Sequence, residues 1–259
     1  MMRLQFFAVV TLIVFLLSTT ARCRADLVLT VVGTAATEDF DGFTGAGFSP
    51  TPTAGQLDSN TFRLLGMSDG DLGFGGTGTT GDYARGFSTG GVTTGGVYAF
   101  DVGGGNIAAG VQPGGSDFTP GSLTVRIRND TGETLSGLDV SALGYYLNNE
   151  ERAQRVTISG SFDDVNYLDV FSYETPEASD ALGWQTEVIG ERFNVPILNG
   201  QQFFLRIASD DLSGSGSRDE LAIDALSITG FTAIPEPGSA AFLLAVGGLV
   251  SFGRRRGRA

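Results

Sequence analysis

The 259-residue sequence predicts an all-β protein: an antiparallel two-sheet β-sandwich, jelly-roll-like, with a short terminal hydrophobic helix at each end. Three observations predict it. Several runs alternate apolar and polar residues with period two; turn-forming clusters separate those runs; and no window of eleven or more residues carries a helical apolar stripe.

The alternation is clearest in three places. "LTVRIRND" puts Leu123, Val125 and Ile127 on one face and Thr124, Arg126 and Arg128 on the other. "RVTISGSF" sets Val156, Ile158 and Phe162 against Arg155, Thr157, Ser159 and Ser161, and "FLRIASDD" sets Phe203, Leu205 and Ile207 against Phe204 and Arg206. Strands of this kind belong to antiparallel sheets with one buried face. "NDTGE", "SDD", "LNG" and "SGSGS" supply the turns, and about ten strands are expected. In "ELAIDALSI", Asp224 shares parity with Leu226 and Ile228, whereas Leu221 and Ile223 have the opposite parity. Either a bulge interrupts this strand near Asp224, or the strand is covered on both faces.

Residues 66–121 depart from the pattern. Glycine this dense weakens strands and favours long surface loops, yet Phe74, Tyr83, Phe87, Tyr98 and Phe100 are spaced through the stretch and need burial. The expectation is an irregular but packed segment within one domain, residues 26–233. A chain of that length can bury a full core.

The two ends read as processed segments. Residues 1–25 begin with Arg3, continue through an apolar run from Phe6 to Leu17 and leave through small residues, the pattern of a secretory signal peptide cleaved after Ala25. At the other end, 240–252 is apolar or small and Arg254, Arg255, Arg256 and Arg258 follow. Thirteen helical residues reach only about 20 Å, a marginal membrane span, and the terminal arginines keep that end cytoplasmic. The order Pro235-Glu236-Pro237, apolar segment, basic end resembles the PEP-CTERM sorting signal over residues 234–259. The resemblance implies an exosortase-type sorting enzyme as partner, anchoring in the inner membrane before processing, and delivery to the cell surface or exopolysaccharide.

Composition excludes several chemistries. The chain has no histidine and no lysine, and its one cysteine, Cys23, falls within the leader. Histidine-based triads, histidine-ligated metals, lysine Schiff bases, thiol catalysis and Cys₄ zinc sites are therefore ruled out for the processed protein. Residues 26–233 carry nine Arg against 28 Asp and Glu, a net charge of −19, which repels nucleic acid and anionic lipid.

Four short patterns invite a chemical reading. "GMSDG" (66–70) has the spacing of a nucleophile elbow but lacks a histidine base, and "GTGTTG" (76–81) has the spacing of a dinucleotide loop but lacks the flanking strand and helix. "EDFDGFTG" (38–45) resembles a calcium or phosphatase loop, but Phe43 stands where an oxygen ligand is needed, so it reads as a turn. Adjacent acids at Glu150-Glu151, Asp163-Asp164, Asp210-Asp211 and Asp219-Glu220 could in principle serve a polysaccharide hydrolase, which needs only two carboxyl groups. Trp184, Tyr145, Tyr146 and Tyr167 are the aromatic candidates for a sugar platform, with core packing as the competing role.

"FTGAGFSPTPTAGQLDSNTFRL", "GVQPGGSDFTPGSLTVRIRNDTG", "TPEASDALGWQ" and "DDLSGSGSRDELAIDALSI" resemble a jelly-roll-like module of secreted bacterial proteins, sometimes found beside lamin-tail or nuclease domains. That module brings no activity with it. The "ELAIDALSI" phrase is similar to a closing strand in which an aspartate helps hold a structural Ca²⁺, which makes Asp224, with Asp41, the candidate metal ligands. A side-chain hydrogen bond or an ion pair with Arg218 is the alternative for Asp224. The sequence thus points to an exported, non-catalytic β-sandwich, structural or carbohydrate-binding, with a carboxylate-based hydrolase of extracellular polysaccharide as the alternative.

Overall fold

The structure is a computed structural model that describes residues 26–233. The signal peptide, the Pro235-Glu236-Pro237 motif, the apolar segment 240–252, Arg254 to Arg256 and both terminal helices lie outside the described residues. Among those described, no helix is long and apolar enough to cross a membrane.

Fifteen strands run along the chain: β1 (Leu27–Leu29), β2 (Ala35–Glu38), β3 (Phe43–Ser49), β4 (Gly55–Asp58), β5 (Phe62–Leu65), β6 (Phe87–Ser88), β7 (Gly96–Asp101), β8 (Ile107–Gln112), β9 (Gly121–Asn129), β10 (Gly137–Leu147), β11 (Arg152–Ser161), β12 (Leu168–Glu174), β13 (Trp184–Phe193), β14 (Gln202–Gly214) and β15 (Glu220–Phe231). They form two large sheets and a small pair. Sheet I has the order β1-β9-β14-β11-β12, with β5 continuing the edge that β1 begins on β9. Sheet II has the order β13-β10-β15-β8-β7-β6, with β2 sharing one edge of β15 with β8. The β3–β4 pair stands apart.

Two expectations need correction. The count exceeds ten because the short edge strands β1, β2, β4, β5 and β6 carry two to four residues each, too few to display a period. The sheets are also not wholly antiparallel, since β1–β9, β3–β4 and β6–β7 pair in parallel.

The inner faces follow the alternation. Val125, Ile127, Val156, Ile158, Phe203 and Leu205 of sheet I meet Val140, Ala142, Leu221, Ile223, Leu226 and Ile228 of sheet II in one buried cluster. Each Val, Leu, Ile or Phe among them contributes about 1.5–3 kcal/mol by leaving water. Phe162 lies past the end of β11 and is 39% exposed, its ring edge-on to Phe203, so it covers the core's rim rather than filling it.

β15 resolves its own parity conflict by a bulge. Leu143 pairs with Asp224 and Ser141 with Ser227, so two residues of β15 stand against one of β10. Ala225 takes φ +49 there, a left-handed conformation that costs a residue with a Cβ about 1–2 kcal/mol. The bulge returns Leu226 and Ile228 to the core and leaves Asp224 on the outer face of sheet II.

The glycine-rich stretch 66–121 is packed, and buried carboxylates tie it down. Asp82, 2% exposed, accepts from Ser68 Oγ (2.7 Å), Asp69 N (2.8 Å) and Arg85 Nη2 (2.5 Å). Asp117 accepts from Ser68 N at 2.7 Å. Glycine is required where these carboxylates lie against backbone: a Cβ on Gly95 would collide with the Asp117 carboxylate, and one on Gly81, at φ +62, with that of Asp69. Of the five aromatics expected to be buried, Tyr98 and Phe100 are, Phe74 and Tyr83 are half-buried, and Phe87 is 59% exposed at the sheet edge.

Candidate functional site

The outer faces of the two sheets have different fates. On sheet II, Tyr98, Phe100, Ala108, Tyr145 and Ala222 form a second buried cluster, with Val92, Val102, Leu143 and Trp184 packed against it. The rings stack closely: Phe100 lies 5.2 Å from Tyr98 and 5.0 Å from Trp184, centroid to centroid. The segment between β6 and β7 closes over them. Trp184 Nε1 donates to Thr89 O (3.0 Å), Val92 N to Glu220 Oε1 (2.7 Å) and Tyr98 Oη to Thr94 O (3.0 Å).

Sheet I keeps its outer face open. Register places its side chains in rows: Arg63 beside Thr124, Arg206 and Ser159; Leu65 beside Ser122, Ala208 and Thr157; Arg126 beside Phe204; Arg155 beside Asp210. Five of the nine arginines in residues 26–233 therefore share one surface: Arg63, Arg126, Arg128, Arg155 and Arg206. Four of them face carboxylates. Asp164 receives Arg63, with the Nη2–Oδ1 contact at 2.6 Å; Asp26 receives Arg126 (2.5 Å) and Arg128 (3.6 Å); Glu174 receives Arg155 (2.7 Å). Phe74, brought in by the glycine-rich stretch, sits under the guanidinium groups of Arg63 (5.0 Å) and Arg126 (4.6 Å).

Arg206 is held differently. Its guanidinium lies 3.9 Å over the ring of Tyr167, and its Nε donates to Ser159 Oγ at 3.1 Å. Tyr167 Oη donates to Asp164 at 2.5 Å, and burial, together with that carboxylate, pushes the phenol up to about 12. The ring thus remains a neutral, oriented platform for the cation.

Beside this pair runs an open trough of about 340 Å³. The small residues Ser122, Ala208 and Thr157 lie along it, with Arg206 toward one end and Arg155 and Asp210 toward the other. Gly66 and Pro120, from the two ends of the glycine-rich stretch, complete its wall. Hydroxyl, carboxylate and guanidinium groups converge on a shallow floor, an arrangement suited to a polar, flat ligand.

The residues singled out from sequence are distributed as follows. Of the four aromatic candidates, only Tyr167 borders this open face. Tyr145 and Tyr146 are buried, and Trp184 is the first residue of β13 and half-buried. Asp224 accepts from Asn106 Nδ2 (2.9 Å) and Ala225 N (2.6 Å), while Asp41 is exposed in the β2–β3 turn. Each Asp224 oxygen thus accepts one hydrogen bond from the protein. Arg218 pairs with Asp211 instead, at 2.6 Å. Among the described residues no three acidic side chains are grouped to hold a metal ion.

Three of the four acid pairs, Asp163-Asp164, Asp210-Asp211 and Asp219-Glu220, contribute carboxylates to the structure. Asp163 accepts from Asn166 and Val165 in a turn, bonds that hold its carboxyl far below the usual range. Asp164 is taken by Arg63, and Asp211 by Arg152 and Arg218. Asp219 and Glu220 are buried, and desolvation, reinforced by the Glu220 charge and opposed by the Glu150 N–H, pushes Asp219 up to about 6. In "GMSDG", Ser68 donates to Asp82, and the next helical turn, Gly81–Tyr83, starts only eleven residues after Gly70.

No family model and no curated protein matches the chain. Among solved structures, it is similar to a CBM28 carbohydrate-binding module specific for non-crystalline cellulose (12% identity, 52% of this chain and 80% of that one, TM-score 0.34). It is also similar to the CBM22-1 xylan-binding domain of Paenibacillus barcinonensis Xyn10C (8% identity, 80% and 100%, TM-score 0.39) and to the insecticidal delta-endotoxin Cry8Ea1 of Bacillus thuringiensis (14% identity, 49% and 20%, TM-score 0.29). Superpositions as loose as these carry no ligand from one molecule to another.

Proposed function

We propose that this chain is an exported, non-catalytic carbohydrate-binding β-sandwich protein of the cell envelope or exopolysaccharide matrix. Its signal peptide delivers it, and an exosortase-type enzyme sorts it through the PEP-CTERM tail after a membrane-anchored stage. The observation that supports binding is the trough on sheet I: an open channel of mixed polar and apolar lining beside the Tyr167–Arg206 pair on a three-strand floor. A glycan offers hydroxyls in both hydrogen-bonding senses along a flat chain, which such a floor can read without moving.

The non-catalytic reading is supported by the carboxylates. Glycoside hydrolysis needs two acids flanking one bond. Asp210 is the one acidic residue lining the trough, and the neighbouring acids are tied to arginines.

The test is a glycan array with the full-length chain in mild detergent, wild type and Thr157→Trp, with calcium and again with EGTA. Binding by the wild type that falls at least tenfold when the indole fills the trough supports the reading. Absence of binding, or binding that ignores the substitution, defeats it. For sorting, replacing Pro235, Glu236 and Pro237 by alanine should leave the protein in the membrane fraction; unchanged surface delivery would show that this tail is not the address.

A further inference from the structure

We infer that the ligand of this trough is an acidic glycan, a polysaccharide bearing uronate carboxylates, with one carboxylate seated on Arg206. The inference rests on the carbohydrate-binding reading above and specifies the chemistry of its ligand.

Three observations carry it. First, residues 26–233 have a net charge of −19, yet most of their arginines are gathered on one sheet face. Secondly, the arginines of that face are not equivalent. Arg63, Arg126, Arg128 and Arg155 each have a carboxylate partner, whereas Arg206 has none among the described residues, and its Nη groups receive no acceptor from them. Thirdly, Arg206 is immobilised all the same. The Tyr167 ring fixes its plane and the Ser159 hydroxyl takes its Nε–H, leaving the terminal amino groups available at the trough. A planar fork of N–H donors, held in place and lacking an anion, matches a carboxylate in two-point geometry.

The trough also has a direction. Arg155 and Asp210 are cross-strand partners, four residues along β14 from Arg206, roughly 13 Å at strand spacing. Arg155 is occupied by Glu174 there, and Asp210 presents a carboxylate suited to accepting sugar hydroxyls and unsuited to a second anion. The carboxylate end and the hydroxyl end of the site are thus distinct. Because the domain as a whole repels polyanions, any binding of one reports local recognition rather than bulk charge.

The experiment is calorimetric titration of the full-length chain with oligogalacturonate, with a neutral xylan oligomer and with a sulfated dextran oligomer. It is repeated for Arg206→Gln, Arg206→Lys and, as a control outside the trough, Arg192→Gln, with melting curves to check folding. The expected result is preferential oligogalacturonate binding, lowered at least tenfold by R206Q and less by R206K, and unmoved by R192Q. Should R206Q fail to fold, T157W gives the same readout from the floor. Neutral xylan bound as well as oligogalacturonate, with R206Q silent, overturns the acidic-ligand inference and leaves the carbohydrate reading standing. Sulfated dextran bound in preference to oligogalacturonate overturns the carboxylate assignment. No oligomer bound overturns both.

Discussion

The outer faces of the two sheets, built from strands of the same kind, have been put to opposite uses. Sheet II hides aromatic rings under a glycine-rich cover, so Tyr98, Phe100, Tyr145 and Trp184 behave as a second core. Sheet I presents arginines, the partly exposed Thr157 and Ala208 and one oriented tyrosine ring around an open trough, with Ser122, Thr124 and Ser159 buried beneath. Aromatic content alone therefore does not locate a recognition surface; what covers the rings decides it.

Phe100→Ala removes a fully buried ring that packs against Tyr98 and Trp184, and should lower stability by about 4 kcal/mol while leaving glycan affinity unchanged. Urea unfolding beside a binding titration reads both. Lost affinity at retained fold would mean that the covered face takes part in recognition.

Asp82→Ala attacks the ties of the glycine-rich cover and should cost about 3 kcal/mol at neutral pH, since Ser68, Asp69 and Arg85 lose their acceptor. Although burial by itself raises the Asp82 pKa, the bonds from Ser68 and Asp69 and the Arg85 charge bring it below the ordinary value. Its contribution is accordingly present above the ordinary carboxylate range and is lost as pH falls through the lowered value. The gap between wild type and D82A should close in acid; a gap constant with pH would contradict the assignment.

Asp219 works in the opposite sense. Its folded pKa, about 6, lies above the ordinary 3.8, so the folded state holds the extra proton and stability falls as pH rises between those values. Asp219→Asn should raise stability at pH 7 by about 1 kcal/mol and change little at pH 4, as melting curves at the two pH values would show.

The smallest expected effect concerns the bulge that separates the two faces along β15. Ala225→Gly relieves a left-handed alanine at the expense of greater freedom in the unfolded chain, for a net gain of about 0.5 kcal/mol. A loss exceeding 1 kcal/mol in denaturant midpoint would show that the Ala225 methyl is needed for packing.

Much of the frame was legible in the sequence. The alternation in β9, β11 and β14 named the buried residues Val125, Ile158 and Leu205, and it also named the outward Arg126, Arg155 and Arg206. What alternation cannot say is that these three strands lie side by side, because pairing is set by long-range register. The arginine face is therefore visible only once β14 is seen between β9 and β11. For "ELAIDALSI" the sequence left two alternatives, and both hold: a bulge at Ala225, and cover on both faces over Glu220 to Asp224. For the aromatic candidates the sequence left platform and core packing open for a related reason: the segment that covers Trp184, centred on Val92, lies almost a hundred residues earlier. Outward-facing arginine on three strands of one alternating set was the signal that could have found the site.

The most direct test of the account is to map amide and arginine Nε–H resonances of the full-length chain during titration with oligogalacturonate. Shifts are expected at Ser122, Thr157, Ala208 and the Arg206 Nε–H, with the Trp184 indole and residues 89–95 unmoved. Shifts centred on Trp184 and its cover, with Arg206 silent, would contradict it.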